Sequence, residues 1–268
     1  MMRDDGTTID VSTLVEDFDG AFLAGGGPAR LAREVESASD LPVVDLDAER
    51  VGPCVARPPK VVCIGLNYVD HARESGQDVP AEPVVFFKAS NTVVGPYDDV
   101  HIPRTSEKTD WEVELGVVIG REARYLEDEA AALEAVAGYA VSHDVSERAF
   151  QLERGGQWVK GKSCETFNPL GPWLVTTDEV DDVQKLSMSL TVNGETMQDG
   201  STADMIFSAA HVVWYLSQFM VLEPGDLINT GTPAGVGMAR QQYLRDGDVT
   251  ELEVEGLGRQ RQRFVPAP

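Results

Sequence analysis

Cysteine is scarce in this 268-residue sequence. There are three, Cys54, Cys63 and Cys164, an odd number with no Cys-x-x-Cys spacing. This pattern argues against a disulfide framework, a thiolate zinc site and a secreted protein. We therefore expect a protein of the reducing cytoplasm.

Long apolar runs are also missing. No apolar run reaches the roughly 18 residues that a membrane-spanning helix needs. Residues 1–5 (Met-Met-Arg-Asp-Asp) begin no apolar core of a signal peptide. We therefore expect a soluble protein with no membrane partner.

Positive charge is in short supply. The sequence has 22 Lys and Arg residues against 45 Asp and Glu residues, so its formal net charge is −23. This charge repels nucleic acid and anionic membrane surfaces, and we expect neither as a partner. An anionic substrate would also be repelled unless a metal, Lys or Arg supplies positive charge in a cleft. Most of the acidic residues are explained by a solvated surface that aids solubility.

Strand patterns outnumber helical ones along the chain. Prolines at 53, 58 and 59 precede the apolar run 60–65, so we divide the chain into a small N-terminal module (1–58) and a main domain (59–268). The module carries a helical pattern near 28–35 and a weak strand near 43. In the main domain, helices are predicted near 68–75, 127–136 and 205–219, and strands at 60–65, 84–88, 112–119, 138–142, 172–175, 188–193, 226–230 and 249–254. Asn193-Gly194 predicts a hairpin turn. The fold class predicted is α+β, mainly β, without the βαβ alternation of a doubly wound sheet.

Glu112 and Glu114 lie one residue apart in a segment with the pattern of a buried strand. With a side-chain period of two, both point to one face, while Trp111, Val113 and Leu115 point to the other. Two like charges this close in a half-buried strand repel each other unless a cation or a proton lies between them. The face could therefore hold a metal, and a solvent-facing strand edge is the alternative.

His71 and Glu74 lie three residues apart in a predicted helix and share one of its faces. The carboxylate can then hold the imidazole and raise its basicity. This is a general-base arrangement. An ordinary ion pair on a surface helix is the alternative.

Asp144 ends the string Ser142-His143-Asp144. We reject a hydrolase triad, because neighbours on a strand point to opposite faces and real triads are assembled from separated segments. Asp144 is instead a candidate third oxygen ligand beside Glu112 and Glu114. Three carboxylates without cysteine suit a hard cation, Mg²⁺ or Mn²⁺.

Two glycine-containing strings have several interpretations. Residues 156–163 formally match the phosphate-loop pattern, but no buried strand precedes them and Pro169 follows too soon for the long helix. Lys162 in this string is a candidate point charge for a substrate carboxylate, or an ordinary surface lysine.

Residues 229–237 match neither a dinucleotide loop nor a Walker loop. They form either a loop that turns amides and a Thr hydroxyl toward an anion or a structural turn.

Taken together, these strings resemble the fumarylacetoacetate hydrolase family from about residue 60 to the C-terminus, in its fumarylpyruvate hydrolase and 2,4-diketo-3-deoxy sugar acid hydrolase-like branch. Five separated motifs occur in the family's order: Ile64-Gly65-Leu66-Asn67-Tyr68 with His71, residues 110–120, His143-Asp144-Val145-Ser146, residues 156–158 with Gly161-Lys162-Ser163, and Thr230-Gly231-Thr232-Pro233. The resemblance implies a mixed, mainly β roll with flanking helices, usually dimeric, and some members share the small N-terminal module.

The resemblance also implies roles for individual residues. By this likeness, the Mg²⁺ or Mn²⁺ ligands are Glu112, Glu114 and Asp144, and the catalytic residues are His71, Glu74 and Lys162. The substrate contacts are Arg148, Gln151 and Thr232.

The resemblance implies a hydrolase acting on carbon–carbon bonds in ketonic substances, which cleaves the C3–C4 bond of an acylpyruvate. Glu147 and its surroundings look more like the members that cleave 2,4-diketo-3-deoxy sugar acids, such as the L-fuconate or L-rhamnonate derivative, to pyruvate and lactate. The open alternatives are a fumarylpyruvate hydrolase, an oxaloacetate decarboxylase, a hydroxyhepta-dienedioate isomerase and a catalytically silent protein that binds 2-oxo acids.

Overall fold

The computed structural model describes residues 1–3, 5–38 and 40–268. The helices are α1 (Gly20–Ala24), α2 (Gly27–Ser37), α3 (Val69–Glu74), α4 (Glu129–Glu134), α5 (Arg148–Leu152), α6 (Val159–Lys162), α7 (Ala209–Ser217) and α8 (Gly237–Arg240). Within the described ranges, no helix has both the length and the apolar character needed to cross a membrane.

The strands are β1 (Val61–Gly65), β2 (Val84–Lys88), β3 (Val93–Val94), β4 (Val100–Ile102), β5 (Thr109–Asp110), β6 (Val113–Ile119), β7 (Val136–His143), β8 (Ser146–Glu147), β9 (Asn168–Pro169), β10 (Val175–Thr176), β11 (Ser187–Val192), β12 (Glu195–Ser201), β13 (Leu227–Asn229), β14 (Val249–Val254) and β15 (Gly258–Pro266). A six-stranded sheet has the order β10-β7-β6-β13-β1-β2, and a five-stranded sheet has the order β12-β11-β14-β15-β4. Both are antiparallel except where β1 pairs with β13 and β15 with β4. The predicted class, α+β and mainly β, is confirmed.

The two faces of β6 have different surroundings because side chains alternate along a strand. Val113, Leu115 and Val117 belong to the main apolar cluster, which also contains Leu190 and Leu252 of the five-stranded sheet. The core between the two sheets therefore lies on this side of β6. Glu114 lies on the other side, away from this core.

The second face of the six-stranded sheet is covered in part by residues 1–58. Val118 of β6 belongs to a second apolar cluster with Ile9, Phe22 and Leu31. The side chains on this face therefore change from apolar to acidic along β6, with Val118 in the apolar cluster and a carboxylate at Glu114. This change leaves one end of the face for a polar site.

Some local predictions hold and others do not. The hairpin at Asn193-Gly194 is confirmed, with β11 and β12 joined by two residues of positive φ, 51° and 81°. The prediction of a strand near Val43 was wrong, since Val43 makes only an isolated bridge with Ile9. The strand predicted at 172–175 is reduced to Val175–Thr176.

Candidate active site

Three carboxylates converge at the end of the β6–β7 pair. Glu112 directly precedes β6, Glu114 lies within it, and Asp144 directly follows β7. The antiparallel register brings these ends together, and the Asp144 amide donates to the Glu112 carbonyl at 3.0 Å. One oxygen from each carboxylate lies within 4.8 Å of the others, and all three residues are buried. The predicted ligand residues are thus close in space.

Buried cations hold two of these carboxylates. Lys162 Nζ lies 2.6 Å from Glu112 Oε2 and 2.8 Å from Asp144 Oδ2. Arg148 Nη2 donates to Glu112 Oε1 at 2.7 Å. Lys88 Nζ donates to Asp144 Oδ1. The cations compensate the charges of Glu112 and Asp144, which would otherwise be costly to bury.

Glu114 is compensated far less. Its carboxylate accepts one hydrogen bond in the described structure, from the Gly231 amide at 2.7 Å, and makes no ion pair there. Burial, and then the charges of Asp144 and Glu112, raise the pKa of Glu114 well above its ordinary value. Burial also acts to raise the pKa of Glu112, but Lys162 and Arg148 outweigh it and hold that pKa well below its usual range. A third carboxylate that lacks a cation completes an oxygen donor set that fits a hard divalent ion.

His71 and Glu74 form a hydrogen-bonded pair beside these carboxylates. His71 Nδ1 lies 2.9 Å from Glu74 Oε1. A carboxylate only accepts hydrogen bonds, so Nδ1 carries the proton of this contact, and in the neutral imidazole Nε2 then presents a lone pair. The Gly235 amide donates to both oxygens of Glu74 at 3.0 Å and holds the carboxylate in place. The arrangement is that of an oriented general base.

The site opens into one cavity of about 290 Å³. The predicted site residues on its wall are His71, Glu112, Glu114, Arg148, Gln151, Lys162 and Thr232. Asp144 and Glu74 are not part of the described lining, but they are bonded to two residues that are, Lys162 and His71. A more open hollow of about 360 Å³ on the N-terminal module is lined by residues 6–8 and 43–47, and its described lining includes no His, Lys or Arg. The predicted site residues therefore meet at the first cavity.

The three predicted substrate contacts have protein partners. Arg148 donates to Asp110 at 2.7 Å and to Gln151 at 3.0 Å, besides its bond to Glu112. Thr232 Oγ1 donates to the Val113 carbonyl and accepts from Gln198, both at 2.8 Å. These side chains line the cavity, and the same bonds orient them in its wall. Their contact with substrate stays a prediction.

The loop after β13 does turn its amides toward anions. The anions are side chains of the site itself: Gly231 donates to Glu114, and Gly235 donates to Glu74. Both glycines have positive φ, 99° and 110°, which L side chains rarely adopt. The loop therefore orients a candidate metal ligand and the partner of the candidate base.

Neither residues 142–144 nor residues 156–163 form the motif that their sequence resembles, as predicted from their context. Ser142 Oγ donates to Asn229 at 2.8 Å, whereas His143 points to the other face, where its Nδ1 meets Gln262 at 3.0 Å. They form no triad. Lys162 ends the four-residue helix α6, which follows helix α5 rather than a strand, so the geometry is not that of a phosphate loop.

Sequence reasoning gave no structural role to three residues that support the site, Lys88, Asp110 and Glu147. Lys88 is buried and forms an ion pair with Asp144. The sequence pattern that could have revealed it is the period of two along the strand, which puts Lys88 on the same face as Phe86 of the cavity wall. Asp110 anchors Arg148 and also accepts the amide of Gly237 at 2.6 Å. Glu147 accepts the Phe150 amide at 2.6 Å and caps α5. Glu147 is thus a structural residue of the helix that carries Arg148, outside the described cavity wall.

Comparisons with known proteins agree with this architecture. Residues 60–265 match the model of the fumarylacetoacetate (FAA) hydrolase C-terminal domain. A Burkholderia multivorans protein named "Putative hydrolase" is 52% identical over 261 residues, which are 96% of this chain and 91% of that protein.

Solved structures give the same result. The fumarylacetoacetate hydrolase from the psychrophilic Exiguobacterium antarcticum is 34% identical, with a TM-score of 0.84 over 99% of this chain and 94% of that one. The 2-hydroxyhepta-2,4-diene-1,7-dioate isomerase from Mycobacterium marinum is 37% identical, with a TM-score of 0.69 over 78% of this chain and 75% of that one. The chain belongs to the fumarylacetoacetate hydrolase family.

Proposed function

We propose that the protein is a divalent-metal-dependent hydrolase that cleaves the C3–C4 bond of an acylpyruvate, a 2,4-diketo acid. The observation that carries the proposal is the convergence of Glu112, Glu114 and Asp144 in the cavity that also holds the His71–Glu74 pair. Carboxylate oxygens suit Mg²⁺ or Mn²⁺. Water supplies OH to the C4 carbonyl carbon and a proton to C3, so the products are pyruvate and a second carboxylic acid.

His71 acts as the base in this reaction. Its Nε2 takes a proton from a water molecule directed at the C4 carbonyl, while Glu74 stabilises the imidazolium that forms. Because Gly235 fixes Glu74, the ring does not need to reorient during the step. General-base catalysis of this kind contributes roughly 10² to 10⁴ in rate.

The barrier lies in the negative charge that develops on the departing pyruvyl fragment. A bound divalent cation would supply the Lewis acid that offsets this charge. The protein's own contribution is to hold the acidic residues in place and to bring Lys162 and Arg148 to the wall that a carboxylate substrate meets. Both cations counter the repulsion that a net charge of −23 exerts on an anion.

We assign the substrate to the 2,4-diketo-3-deoxy sugar acids, with pyruvate and lactate as products. The support is the likeness of residues 146–158 and 164–169 to the members with that activity. Glu147 gives indirect support at most, since its carboxylate caps α5 rather than facing the cavity. The likeness also implies a homodimer, which sedimentation analysis tests.

An isomerase is the second candidate. The observation that favours it is the 37% identity to the dioate isomerase from M. marinum. The same metal chemistry without attack by water would give isomerisation, or decarboxylation in the case of oxaloacetate. Chromatography of the products separates the three reactions, since hydrolysis gives two acids, decarboxylation gives carbon dioxide and isomerisation leaves the carbon skeleton intact.

The first prediction concerns the base. His71→Ala should lower kcat by 10² to 10⁴ with an acylpyruvate and Mg²⁺, because the water loses its proton acceptor. The metal affinity, measured by calorimetry, should stay nearly the same, since His71 contacts none of the three carboxylates through a hydrogen bond in the described structure. Glu114→Ala should lose both activity and metal affinity.

His211→Ala is the matched control. His211 lies on α7 and also pairs with a glutamate, Glu129, at 2.9 Å, but it lies outside the described wall of the cavity. Its replacement should leave kcat unchanged. Retained turnover in His71→Ala, or full activity after chelation of all divalent metal, would contradict the proposed function.

A further inference from the structure

Six buried ionic side chains form a linear ion-pair network in which the sign of the charge alternates. No side chain in it is more than 6% exposed, and its members, in order, are Asp110, Arg148, Glu112, Lys162, Asp144 and Lys88. Each charge is therefore compensated by its neighbours, as a buried charge requires. The two end members, Asp110 and Lys88, lie outside the described wall of the cavity. They can act on a bound substrate only through the residues next to them.

Asp110 is the more firmly anchored of the two ends. Its Oδ1 accepts hydrogen bonds from the amides of Trp111, at 2.7 Å, and Gly237, at 2.6 Å. Its Oδ2 accepts from the Met238 amide, at 2.9 Å, and from Arg148 Nε, at 2.7 Å. Three of these four donors belong to the backbone, so the carboxylate has a fixed position that does not depend on Arg148.

The guanidinium of Arg148 lies between this anchor and the cavity. Its Nε donates to Asp110, whereas Nη1 donates to Gln151 at 3.0 Å and Nη2 to Glu112 at 2.7 Å. Gln151 and Glu112 line the cavity together with Arg148 itself. An arginine side chain has five N–H donors, so each Nη group keeps one after these three bonds. The guanidinium can therefore bind a carboxylate in the cavity without giving up any of its protein partners.

The electrostatics give Asp110 the larger share in holding Arg148. Burial acts to lower the pKa of Arg148, but Asp110 and then Glu112 outweigh it and hold that pKa above its ordinary value. Without the charge of Asp110, Glu112 would be the only anion paired with Arg148 in the described structure. The guanidinium would then be drawn to a candidate metal ligand and would lose the bond that fixes its Nε edge.

We infer that Asp110 is a positioning residue of the proposed reaction: it fixes the Arg148 guanidinium so that the two remaining N–H donors meet the carboxylate of a 2-oxo acid. Asp110 itself does not touch the substrate. The inference rests on the proposed function, because it takes a 2-oxo acid to lie in the cavity with its carboxylate at Arg148.

Asp110→Asn tests this role with pyruvate, the 2-oxo acid product of the proposed reaction, as the probe. The amide has nearly the shape of the carboxylate but only one acceptor oxygen, so its NH₂ group would face two of the four donors. The guanidinium should then move. Calorimetry with Mg²⁺ present should show pyruvate bound about tenfold more weakly than by the wild type.

Asp226→Asn is the matched control. Asp226 is buried, forms an ion pair with Lys60 at 2.8 Å and accepts the amides of Lys60, at 2.9 Å, and Glu223, at 2.6 Å. It lies outside the described wall of the cavity. Its replacement should cost stability in the same way but change the affinity for pyruvate by less than about twofold. If Asp110→Asn does not fold, Asp110→Glu against Asp226→Glu gives the same comparison, because each moves a buried carboxylate by one methylene.

A double-mutant cycle with Arg148→Met assigns the effect to the guanidinium. Asp110→Asn should weaken pyruvate binding about tenfold when Arg148 is present, but less than about twofold in Arg148→Met, where no guanidinium is left to position. A general loosening of the site would instead weaken pyruvate binding in both backgrounds.

The outcomes separate this inference from the proposed function. If Asp110→Asn binds pyruvate as tightly as the wild type, or weakens it equally with and without Arg148, the inference is overturned even where acylpyruvates are cleaved. If the wild type binds no pyruvate, the inference and the proposed 2-oxo acid site both fail. If the predicted pattern of affinities is found but no acylpyruvate is cleaved, the hydrolase proposal fails and the role of Asp110 stands.

Discussion

Glu114 is a buried carboxylate whose charge the protein compensates far less than the charges of Glu112 and Asp144. Lys162, Lys88 and Arg148 bond to the neighbouring carboxylates but make no ion pair with Glu114 in the described structure. The Gly231 amide gives one hydrogen bond, which is a weak compensation for a buried charge. The metal-free protein therefore stores a destabilising interaction that a divalent cation would remove.

The poorly compensated charge of Glu114 gives a prediction for Glu114→Gln. A carboxyl group whose pKa is raised in the folded state binds its proton more tightly there than in the unfolded chain, so the stability of the folded state falls as pH rises toward the raised value. The amide carries no charge and avoids this loss. In metal-free protein, Glu114→Gln should have a higher Tm than the wild type at pH 8, and the difference should shrink as pH is lowered to 5.

Added Mg²⁺ should reverse the order at pH 8. The wild type gains stability from a ligand that binds only the folded state, whereas Glu114→Gln lacks the third carboxylate. Calorimetric scans with and without Mg²⁺ measure both effects. Glu122→Gln, an exposed glutamate, serves as the control. A Tm for metal-free Glu114→Gln below that of the wild type at pH 8 would contradict the account of Glu114.

At the scale of elements, strands were easier to predict than the partners of their side chains. The period of two around Glu112 and Glu114 indicated correctly that β6 has one apolar face, which Val113 and Leu115 form. β15 was missed because its inward residues include Gln260 and Gln262, whose amides bond to backbone carbonyls across the core. Such pairing comes from distant segments, and the pattern of a single strand does not contain it.

The loop after β13 illustrates the same limit. Its sequence left a turn and an anion-binding loop equally open, and the structure shows a tight loop whose amides meet Glu114 and Glu74. The glycines were visible in the sequence. What was not visible is that the loop passes the beginning of β6, which carries Glu114, and the end of α3, which carries Glu74.

Gly231→Ala tests the importance of this loop. A Cβ at Gly231 would lie 2.8 Å from Asn67 Cβ and 3.2 Å from the Ile64 carbonyl, besides the strain of φ at 99°. We expect a loss of about 1–3 kcal/mol from backbone strain and a similar further loss from overpacking. The metal affinity should fall as well, because the amide that orients Glu114 moves. Urea unfolding and calorimetry measure the two effects.

Gly194→Ala is the matched control. Gly194 also has positive φ, 81°, but a Cβ there would have no atom within 4 Å. It should therefore lose stability through strain alone and keep its metal affinity. Equal losses of stability in the two variants would show that the contacts around Gly231 do not constrain the loop.

At the scale of the whole molecule, the first 58 residues and the six-stranded sheet share one apolar cluster. Phe22 and Leu31 of the N-terminal part pack in this cluster with Val61 of β1 and Leu227 of β13, the parallel pair of the six-stranded sheet. A surface buried between two parts of a chain couples their stabilities, so a division at residue 58 need not give two units that unfold separately. The division at residue 58 therefore stays a prediction, and unfolding experiments test whether the two parts unfold together or separately.

Phe22→Ala provides this test. Removing a buried phenyl ring should cost about 3–5 kcal/mol, and we expect the loss to appear as a single transition at lower temperature, because the cluster joins both parts of the chain. Val43→Ala, an exposed residue of the same module, should change stability by less than about 0.5 kcal/mol. At a temperature where Phe22→Ala is folded, its kcat should equal that of the wild type, since Phe22 lies outside the described wall of the catalytic cavity. Two separate transitions, with the upper one at the wild-type Tm, would show instead that the module folds independently of the sheet that carries the site.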